Sequence, residues 1–350
     1  MFIIHPNVTI RDEPHALTVE DNAMVLKFEH DSAGPAAALL GNAEFSDSIE
    51  DLARRSGIST GVAKQIVDVL ASEHMLLDLS KAAGLRKKAL VAKIREASFF
   101  WNKFIMAQTF PQRLFGGEAT RSEVLGWGIE HYFFVRAANE YMAAGASRID
   151  GSTRHLEKLW THYAEEALHD EIFLNGLRRC GLSAPAIEKR PPLASTLALT
   201  NFLYERSMES ALSYAAVFCV MQARAKPPTV KEIEDKYSKL RSQYDYASAL
   251  FSAFEKHDKI DAEMEHSDLT IEAIIEMDWP LSNGQIQRIF EVIEQTANHF
   301  VLFFEGISNK YRSPRSVTYR QAGNAVGARF TLKPEASEHD AHGHAGNGHA

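Results

Sequence analysis

The sequence predicts an all-α domain, a bundle of long helices, preceded by a small α+β module. Residues 1 to about 45 consist of short extended segments broken by turn formers, and two of these segments alternate roughly with period two. The chain from about residue 89 onward has helical periodicity almost throughout. The 350 residues are 45% hydrophobic and 24% charged, as in an ordinary globular protein. Because there is neither an apolar run of 18 residues nor a basic, then apolar N-terminus, we expect no membrane span and no signal peptide. The two cysteines form no CxxC motif, and a reducing cytoplasmic location fits them best.

The N-terminal module, residues 1–88, combines short strands with two short helices. The segments ALTVE and MVLKFE are expected to pair as strands. Ser48 is a candidate N-cap of a first helix that stops at Gly57. The next helix carries an apolar stripe formed by Val62, Ile66, Val69 and Leu70. Two short helices that are joined by a glycine turn and follow small strands predict a winged helix-turn-helix.

The charge of this module argues against DNA as its partner. Residues 1–80 contain thirteen acidic and five basic side chains, a balance of −8, whereas DNA affinity depends on cationic contacts with phosphates. Two other interpretations stay open: a structural or dimerisation module, and a docking module for a peptide or protein. Residues 39–78 resemble the small winged-helix domains that hold precursor peptides in peptide-maturation pathways, and such modules bind by strand addition, which needs no positive charge.

Capping motifs and breaks divide the second domain, residues 89–311, into long helices. Capping boxes are formed by Thr120 with Glu123, by Thr229 with Glu232 and by Ser282 with Gln285. The predicted helices span about 120–143, 152–180, 195–224, 229–268 (with an interruption near 243–247) and 282–306. Residues 312–350 lack periodicity and end in a histidine-rich, low-complexity segment, which we expect to be disordered.

Carboxylates and histidines recur inside these helices at the spacing of metal ligands. Glu166 and His169 are three residues apart, as are Glu263 and His266 on a later helix, so each pair is expected to point one way. Glu130 lies on a third helix. Carboxylate and imidazole groups that face inward from three helices are how bundle proteins hold iron or manganese. This donor set suits redox iron better than magnesium or calcium.

A second pair competes with this assignment. His257 and Asp261 are four residues apart on the same helix as Glu263. The segment around them is very polar, so we interpret them as surface residues rather than ligands. The alternative for all these motifs is a solvated acidic face with incidental histidines.

Four segments resemble, in order, the helices of pyrroloquinoline-quinone synthase and its TenA-like relatives. They are TRSEVLGWGIEHYFFVRAANEYM, EEALHDE, AEMEHSDL and IFEVIEQTANHFVLFFEGI. These relatives belong to the heme-oxygenase-like superfamily, which also contains non-heme diiron oxidases and oxygenases. The resemblance covers about residues 95–310. It implies a helical bundle with a central pocket and an oxidative, usually oxygen-dependent, reaction on a small metabolite, although the TenA branch hydrolyses.

Matching the diiron branch residue by residue implies the ligands Glu130, Glu166, His169, Glu263 and His266. Two positions depart from that pattern. Met221 and Gln222 stand where a third helix usually supplies a carboxylate, with Glu205 and Glu209 several turns earlier. Lys259 stands where the fullest pattern has histidine. The expected number of bound irons is therefore one or two, and a metal-free pocket stays open.

We therefore expect an oxygen-dependent non-heme iron oxidoreductase that acts on a small metabolite, an amino acid or a peptide-derived substrate. An apolar, water-poor cavity would be shaped by the aromatic residues Trp127, Tyr132, Phe133 and Phe134. Two alternatives remain: a metal-free oxidase of the quinone-synthase type with His169 and His266 as general acid and base, and a non-catalytic binding protein. Heme is disfavoured because residues 89–120 contain no histidine as its ligand. The expected partners are the substrate, dioxygen and a second copy of the chain in a homodimer, but neither nucleic acid nor a membrane.

Overall fold

The computed structural model of the protein describes most of the chain. The described residues are 1–21, 24–82, 85–148, 152–222, 228–263, 271, 273–274, 276–277 and 280–312. Gln222 and Glu263 are described by their backbone only. His266 and the histidine-rich tail lie outside this part of the chain.

The N-terminal module begins with a small antiparallel sheet. Strands β2 (Thr9–Glu13), β3 (Ala16–Glu20) and β4 (Val25–Glu29) pair in that order. The pairing of β3 with β4 confirms the strands predicted from the two alternating segments. Strand β1 (Phe2–Ile4) pairs instead with β5 (Leu76–Asp78), so the two ends of the module meet.

Three helices complete the module: α1 (Ala33–Leu40), α2 (Ile49–Ser56) and α3 (Thr60–Ser72). The predicted cap of α2 is confirmed, because the Ser48 side chain accepts a hydrogen bond from the backbone N–H of Asp51. The predicted stop is confirmed as well, since Gly57 takes the left-handed conformation with φ of 68°. The winged-helix assignment stays a prediction.

The predicted apolar stripe of α3 is only half right. Ile66 and Leu70 are buried, but Val62 and Val69 are 37% and 43% exposed. The buried face continues instead through Ala63 and Val67. It packs into a core of its own with residues of β1, β3, α1, α2 and β5.

The module packs on the first helix of the second domain, α4 (Lys87–Met106). The His5 ring lies edge-on to Phe100, with ring centroids 4.7 Å apart. Lys103 Nζ lies 2.5 Å from Oδ2 of the buried Asp21, and it also donates to the backbone carbonyl oxygen of Glu73. Apolar contact and a largely desolvated ion pair therefore hold the module against α4.

The described residues of the second domain form helices that are joined by turns and short loops. Its remaining helices are α5 (Thr109–Gly116), α6 (Arg121–Ala146), α7 (Thr153–Glu166), α8 (Asp170–Arg179), α9 (Ala184–Glu188), α10 (Ala194–Glu209), α11 (Ala211–Gln222), α12 (Val230–Gln243), α13 (Ser248–Glu263) and α14 (Asn283–Tyr311). All three predicted capping boxes form. The predicted interruption near 243–247 is a turn between α12 and α13.

Two of the predicted helices are each broken in two. The predicted helix 152–180 is α7 and α8, which are separated at residues 167–169. The predicted helix 195–224 is α10 and α11, which are separated at Ser210, a residue with extended backbone. Both breaks occur within apolar patterns that continue across them, so periodicity alone did not reveal them.

Helix α6 lies at the centre of the bundle and packs against α7, α8, α10 and α14. Glycines allow this close approach. The Tyr311 ring occupies the space that a Cβ at Gly126 would need, and the Tyr214 ring does the same at Gly145. In the part of the chain that the structure describes, no helix is both long enough and apolar enough to cross a bilayer.

Candidate metal centre

The Glu166–x–x–His169 motif lies in a tight turn and not on a continuous helix. Glu166 ends α7, and His169 N–H donates to the Glu166 carbonyl oxygen over 3.2 Å. Between them, Ala167 has φ −59° and ψ 132°, and Leu168 has a positive φ of 67°. These angles and the hydrogen bond define a type II turn. The turn brings the two side chains together, so that His169 Nδ1 lies 2.9 Å from Glu166 Oε2.

Helix α13 supplies the other half of the centre. His257 and Asp261 are one turn apart on α13, and His257 Nδ1 lies 3.2 Å from Asp261 Oδ2. On its other side, His257 Nε2 lies 3.6 Å from Glu166 Oε2. The rings of His257 and His169 meet edge to face, with centroids 4.8 Å apart.

These four side chains form a compact group of possible ligands. One ligand atom from each of Glu166, His169, His257 and Asp261 lies within 4.8 Å of every other. The side chains are mostly buried but not sealed, with exposed fractions from 11% for His169 to 29% for Asp261. Two imidazoles with one or two carboxylates are the donor set of non-heme iron sites, so these residues fit an iron ion.

The electrostatics of the group favour a cation. Burial lowers the pKa of the His257 imidazole, but hydrogen bonds and charge attraction from Asp261 and Glu166 outweigh burial and raise that pKa to about 10. A proton on His257 therefore neutralises part of the carboxylate charge in the metal-free protein. A divalent ion bound by the same atoms would do so more completely.

The expectation that Glu130 is a ligand does not fit its position. Its carboxylate is fully buried, and both oxygens are engaged elsewhere. They accept hydrogen bonds from the side chains of Arg190, Thr196 and Tyr311 and from the backbone N–H of Leu193, over 2.7 to 3.0 Å. Glu130 therefore ties α6 to the start of α10 and to the end of α14.

The interpretation of His257 and Asp261 as surface residues is corrected by the structure. Their side chains are only 16% and 29% exposed, and His257 faces Glu166 and His169 of the α7–α8 turn. The i, i+4 spacing of imidazole and carboxylate was the available signal, and the polarity of the segment was misread as solvent exposure. The sequence favoured Glu263 and His266 as the ligands from this region. The Glu263 side chain and His266 lie outside the described part of the chain.

Glu209 is one of the two carboxylates that precede Met221 and Gln222, and it lies beside Arg288. Its carboxylate oxygens lie 2.6 and 2.7 Å from the Arg288 guanidinium nitrogens, and a further ion pair joins it to Arg206. Glu209 is therefore engaged on the surface between α10 and α14. Met221 packs against the main core.

Aromatic side chains surround one flank of the centre. Phe173 contacts the rings of both His257 and His131, with centroids 5.3 and 4.7 Å apart. Trp127 stacks flat on Phe254, which also contacts His131. Burial, together with the positive charge of His257, lowers the pKa of His131 to about 3. This flank is therefore apolar and holds a neutral imidazole.

The predicted cavity aromatics separate into two groups. Trp127 and Phe134 contact His131 and belong to this flank. Tyr132 and Phe133 are buried, and the Tyr132 hydroxyl accepts a hydrogen bond from Arg136. On a helix, adjacent residues point in different directions, so the three consecutive positions 132–134 cannot all line the same wall as Trp127.

Comparison with known proteins gives one family match and several structures of similar fold. Residues 125–298 match the model of a family described as an iron-containing redox enzyme. A domain of unknown function with a heme-oxygenase-like fold from Shewanella denitrificans has a TM-score of 0.53 at 18% sequence identity, over 66% of this chain and 95% of that chain. No curated protein matches the sequence significantly.

Two TenA proteins are less similar in structure. A TenA homologue from P. horikoshii has a TM-score of 0.45 at 13% identity and covers 63% of this chain and 98% of that chain. A TenA family transcription regulator from a Silicibacter species has a TM-score of 0.40 at 14% identity, with 66% and 100% covered. The chain therefore has the heme-oxygenase-like fold, and its residues 125–298 match the model of a family of iron-containing redox enzymes.

Proposed function

We propose that this protein is an oxygen-dependent, non-heme iron oxidoreductase whose iron is held by Glu166, His169, His257 and Asp261. The observation that carries the proposal is the convergence of four ligand atoms within 4.8 Å. The residues come from the α7–α8 turn and from α13, within the segment that matches an iron-containing family. One or two ions are compatible with two imidazoles and two carboxylates.

The surroundings of the centre suit a reaction with dioxygen. Bound ferrous iron would supply the electrons that reduce dioxygen. The exposed fractions of the four side chains leave a path for small molecules, whereas Phe173 and Phe254 limit water on one flank. Partial exclusion of water strengthens each electrostatic contact made at the centre.

The substrate we propose is a small metabolite, an amino acid or a peptide-derived molecule. An aromatic flank favours a substrate with an apolar portion. The N-terminal module, which packs on α4, remains a candidate docking element for a peptide or protein. Its net negative charge is compatible with strand addition, in which main-chain hydrogen bonds supply the affinity.

Metal analysis of variants tests the proposal. The four tail histidines, which could bind metal adventitiously, are first replaced by alanine in every sample: His339, His342, His344 and His349. This protein should bind between one and two ferrous ions per chain under anaerobic conditions. His169→Ala, His257→Ala and Glu166→Ala should each reduce the bound iron strongly.

Glu209→Ala is the matched control for Glu166→Ala, because Glu209 is a carboxylate that the structure engages with Arg288 instead. It should keep the iron content of the parent. Unchanged iron in both histidine variants, or no iron in the parent, would contradict the proposal and favour a metal-free reaction with histidines as acid and base. Loss of iron in Glu209→Ala would add Glu209 to the ligands.

A further inference from the structure

Leu168, the third residue of the turn between the two proposed ligands, has an unusual backbone. Position i+2 of a type II turn requires a positive φ and is normally glycine or asparagine. Leu168 has φ of 67°, and its side chain is 69% exposed, so burial of that side chain does not compensate the strain. Such a conformation is strained and persists only where surrounding contacts enforce it.

One side chain from another helix makes those contacts. Asn139 on α6 accepts a hydrogen bond from the Leu168 backbone N–H through Oδ1, over 3.0 Å. Its Nδ2 donates to Asp170 Oδ1 at the first residue of α8, and to the carbonyl oxygen of Arg136, both over 3.2 Å. Both the oxygen and the nitrogen of the Asn139 amide are thus hydrogen-bonded. The amide connects Leu168, within the turn, to Asp170, the residue that follows the turn.

We propose that Asn139 is a positioning residue that holds the strained turn closed, so that Glu166 and His169 point at one metal ion. The inference rests on the proposed iron site. Without the hydrogen bonds that join Asn139 to Leu168 and Asp170, Leu168 would be free to relax to a negative φ. A change of φ between Glu166 and His169 rotates one side chain away from the other, because the backbone of the turn joins the two residues that make the 2.9 Å contact.

The strain in the turn arises because Leu168 has a side chain. Glycine adopts a positive φ without steric cost. Leu168→Gly should therefore make the turn stable without Asn139. A purely structural asparagine in the α6–α8 contact would not depend on the residue at position 168.

The experiment compares four proteins, in all of which the four tail histidines are replaced by alanine: the parent, Asn139→Ala, Leu168→Gly and the double variant. Cobalt(II) is the probe, because its visible absorption reports coordination geometry while a competition titration gives its dissociation constant. Asn139→Ala should weaken cobalt binding tenfold or more, the range found when residues that orient metal ligands are removed. Leu168→Gly should bind as the parent does, and the double variant should recover at least most of the loss together with the parent spectrum.

Asn102→Ala is the control, because this half-buried asparagine also bonds a backbone carbonyl, that of Val220, between other helices. It should leave cobalt affinity unchanged. Parent-like affinity in Asn139→Ala, or no recovery in the double variant, would overturn the inference. Should the parent bind no cobalt, the iron proposal fails. Thermal unfolding of the metal-free proteins then still tests whether Asn139 stabilises the turn. Asn139→Ala must then lower Tm more in the parent than in the Leu168→Gly background, and equal losses would refute it.

Discussion

His257 Nε2 on α13 lies 3.6 Å from Glu166 Oε2 at the end of α7. This contact unites two halves of the proposed metal centre that are far apart in sequence. Each half alone is an ordinary motif of carboxylate and imidazole. Because Asp261 contacts His257 from the opposite side, α13 supplies both an imidazole and the carboxylate that orients it.

Asp261 and Asp258 offer a direct comparison on one helix. Asp258 accepts hydrogen bonds from Lys236 and Tyr237 over 2.8 Å and takes no part in the centre. Asp261→Asn should lower cobalt affinity at least tenfold, since it removes a ligand charge and the orienting partner of His257. Asp258→Asn should leave that affinity unchanged and lower the unfolding free energy. Equal cobalt dissociation constants in the two variants would contradict the role given to Asp261.

Glu130 should matter for stability rather than for metal. Glu130→Gln leaves Arg190, which lies 3.0 Å from Glu130 Oε1, without its buried carboxylate partner. Removing one partner of a buried ion pair costs about 3–5 kcal/mol. Urea unfolding should show a loss of this size, whereas Glu157→Gln at an exposed position of α7 should change stability by less than about 0.5 kcal/mol. Loss of iron from folded Glu130→Gln would return Glu130 to the ligand set.

The neutral His131 should make the protein sensitive to acid. Its pKa is lowered to about 3 by burial and by the charge of His257, so the unfolded chain takes up a proton below about pH 6.5 while the folded protein does not. Stability therefore falls as the pH drops from 6.5 toward 3. Between pH 7 and pH 5 this contribution reaches at most about 2 kcal/mol.

His131→Phe should remove that part of the pH dependence. The measurement is the difference in unfolding free energy between parent and variant at pH 8, 7 and 5 in urea. The difference should change by no more than about 0.2 kcal/mol from pH 8 to 7, where His131 is mostly neutral in both states, and should shift in favour of the variant by up to about 2 kcal/mol at pH 5. An unchanged difference at pH 5 would show that His131 takes up its proton in the folded protein.

Duplex DNA should not bind to the module. Arg54 and Arg55 both contact Asp51, and Arg55 Nε lies 2.8 Å from its Oδ2, which reduces the charge available for phosphates. The full chain at about 1 μM and ~100 mM salt should give no electrophoretic shift with a random duplex. A shift that disappears in Arg54→Glu/Arg55→Glu/Lys64→Glu would contradict this prediction and assign the module to DNA.

Local signals in the sequence were sufficient for much of the fold. The capping boxes at Thr120, Thr229 and Ser282 and the left-handed stop at Gly57 depend on residues three or four apart, which the sequence displays directly. The break at Leu168 had no such signal. Leucine is a good helix former, and the hydrogen bond that its N–H donates to Asn139 on another helix stabilises its left-handed backbone.

By itself, the sequence determined the helical architecture, the resemblance to the heme-oxygenase-like superfamily and the presence of Glu166 and His169 at ligand spacing. Only the tertiary structure decided which of the remaining carboxylates and histidines join them. Glu130 and Asp261 are both acidic residues in polar-aromatic helices, and no local pattern distinguishes them. What differs is the partner that packing provides: Arg190 neutralises Glu130, whereas Asp261 meets His257 beside a second carboxylate. The fold therefore decides how each buried carboxylate is neutralised, because packing determines which charged groups lie beside it.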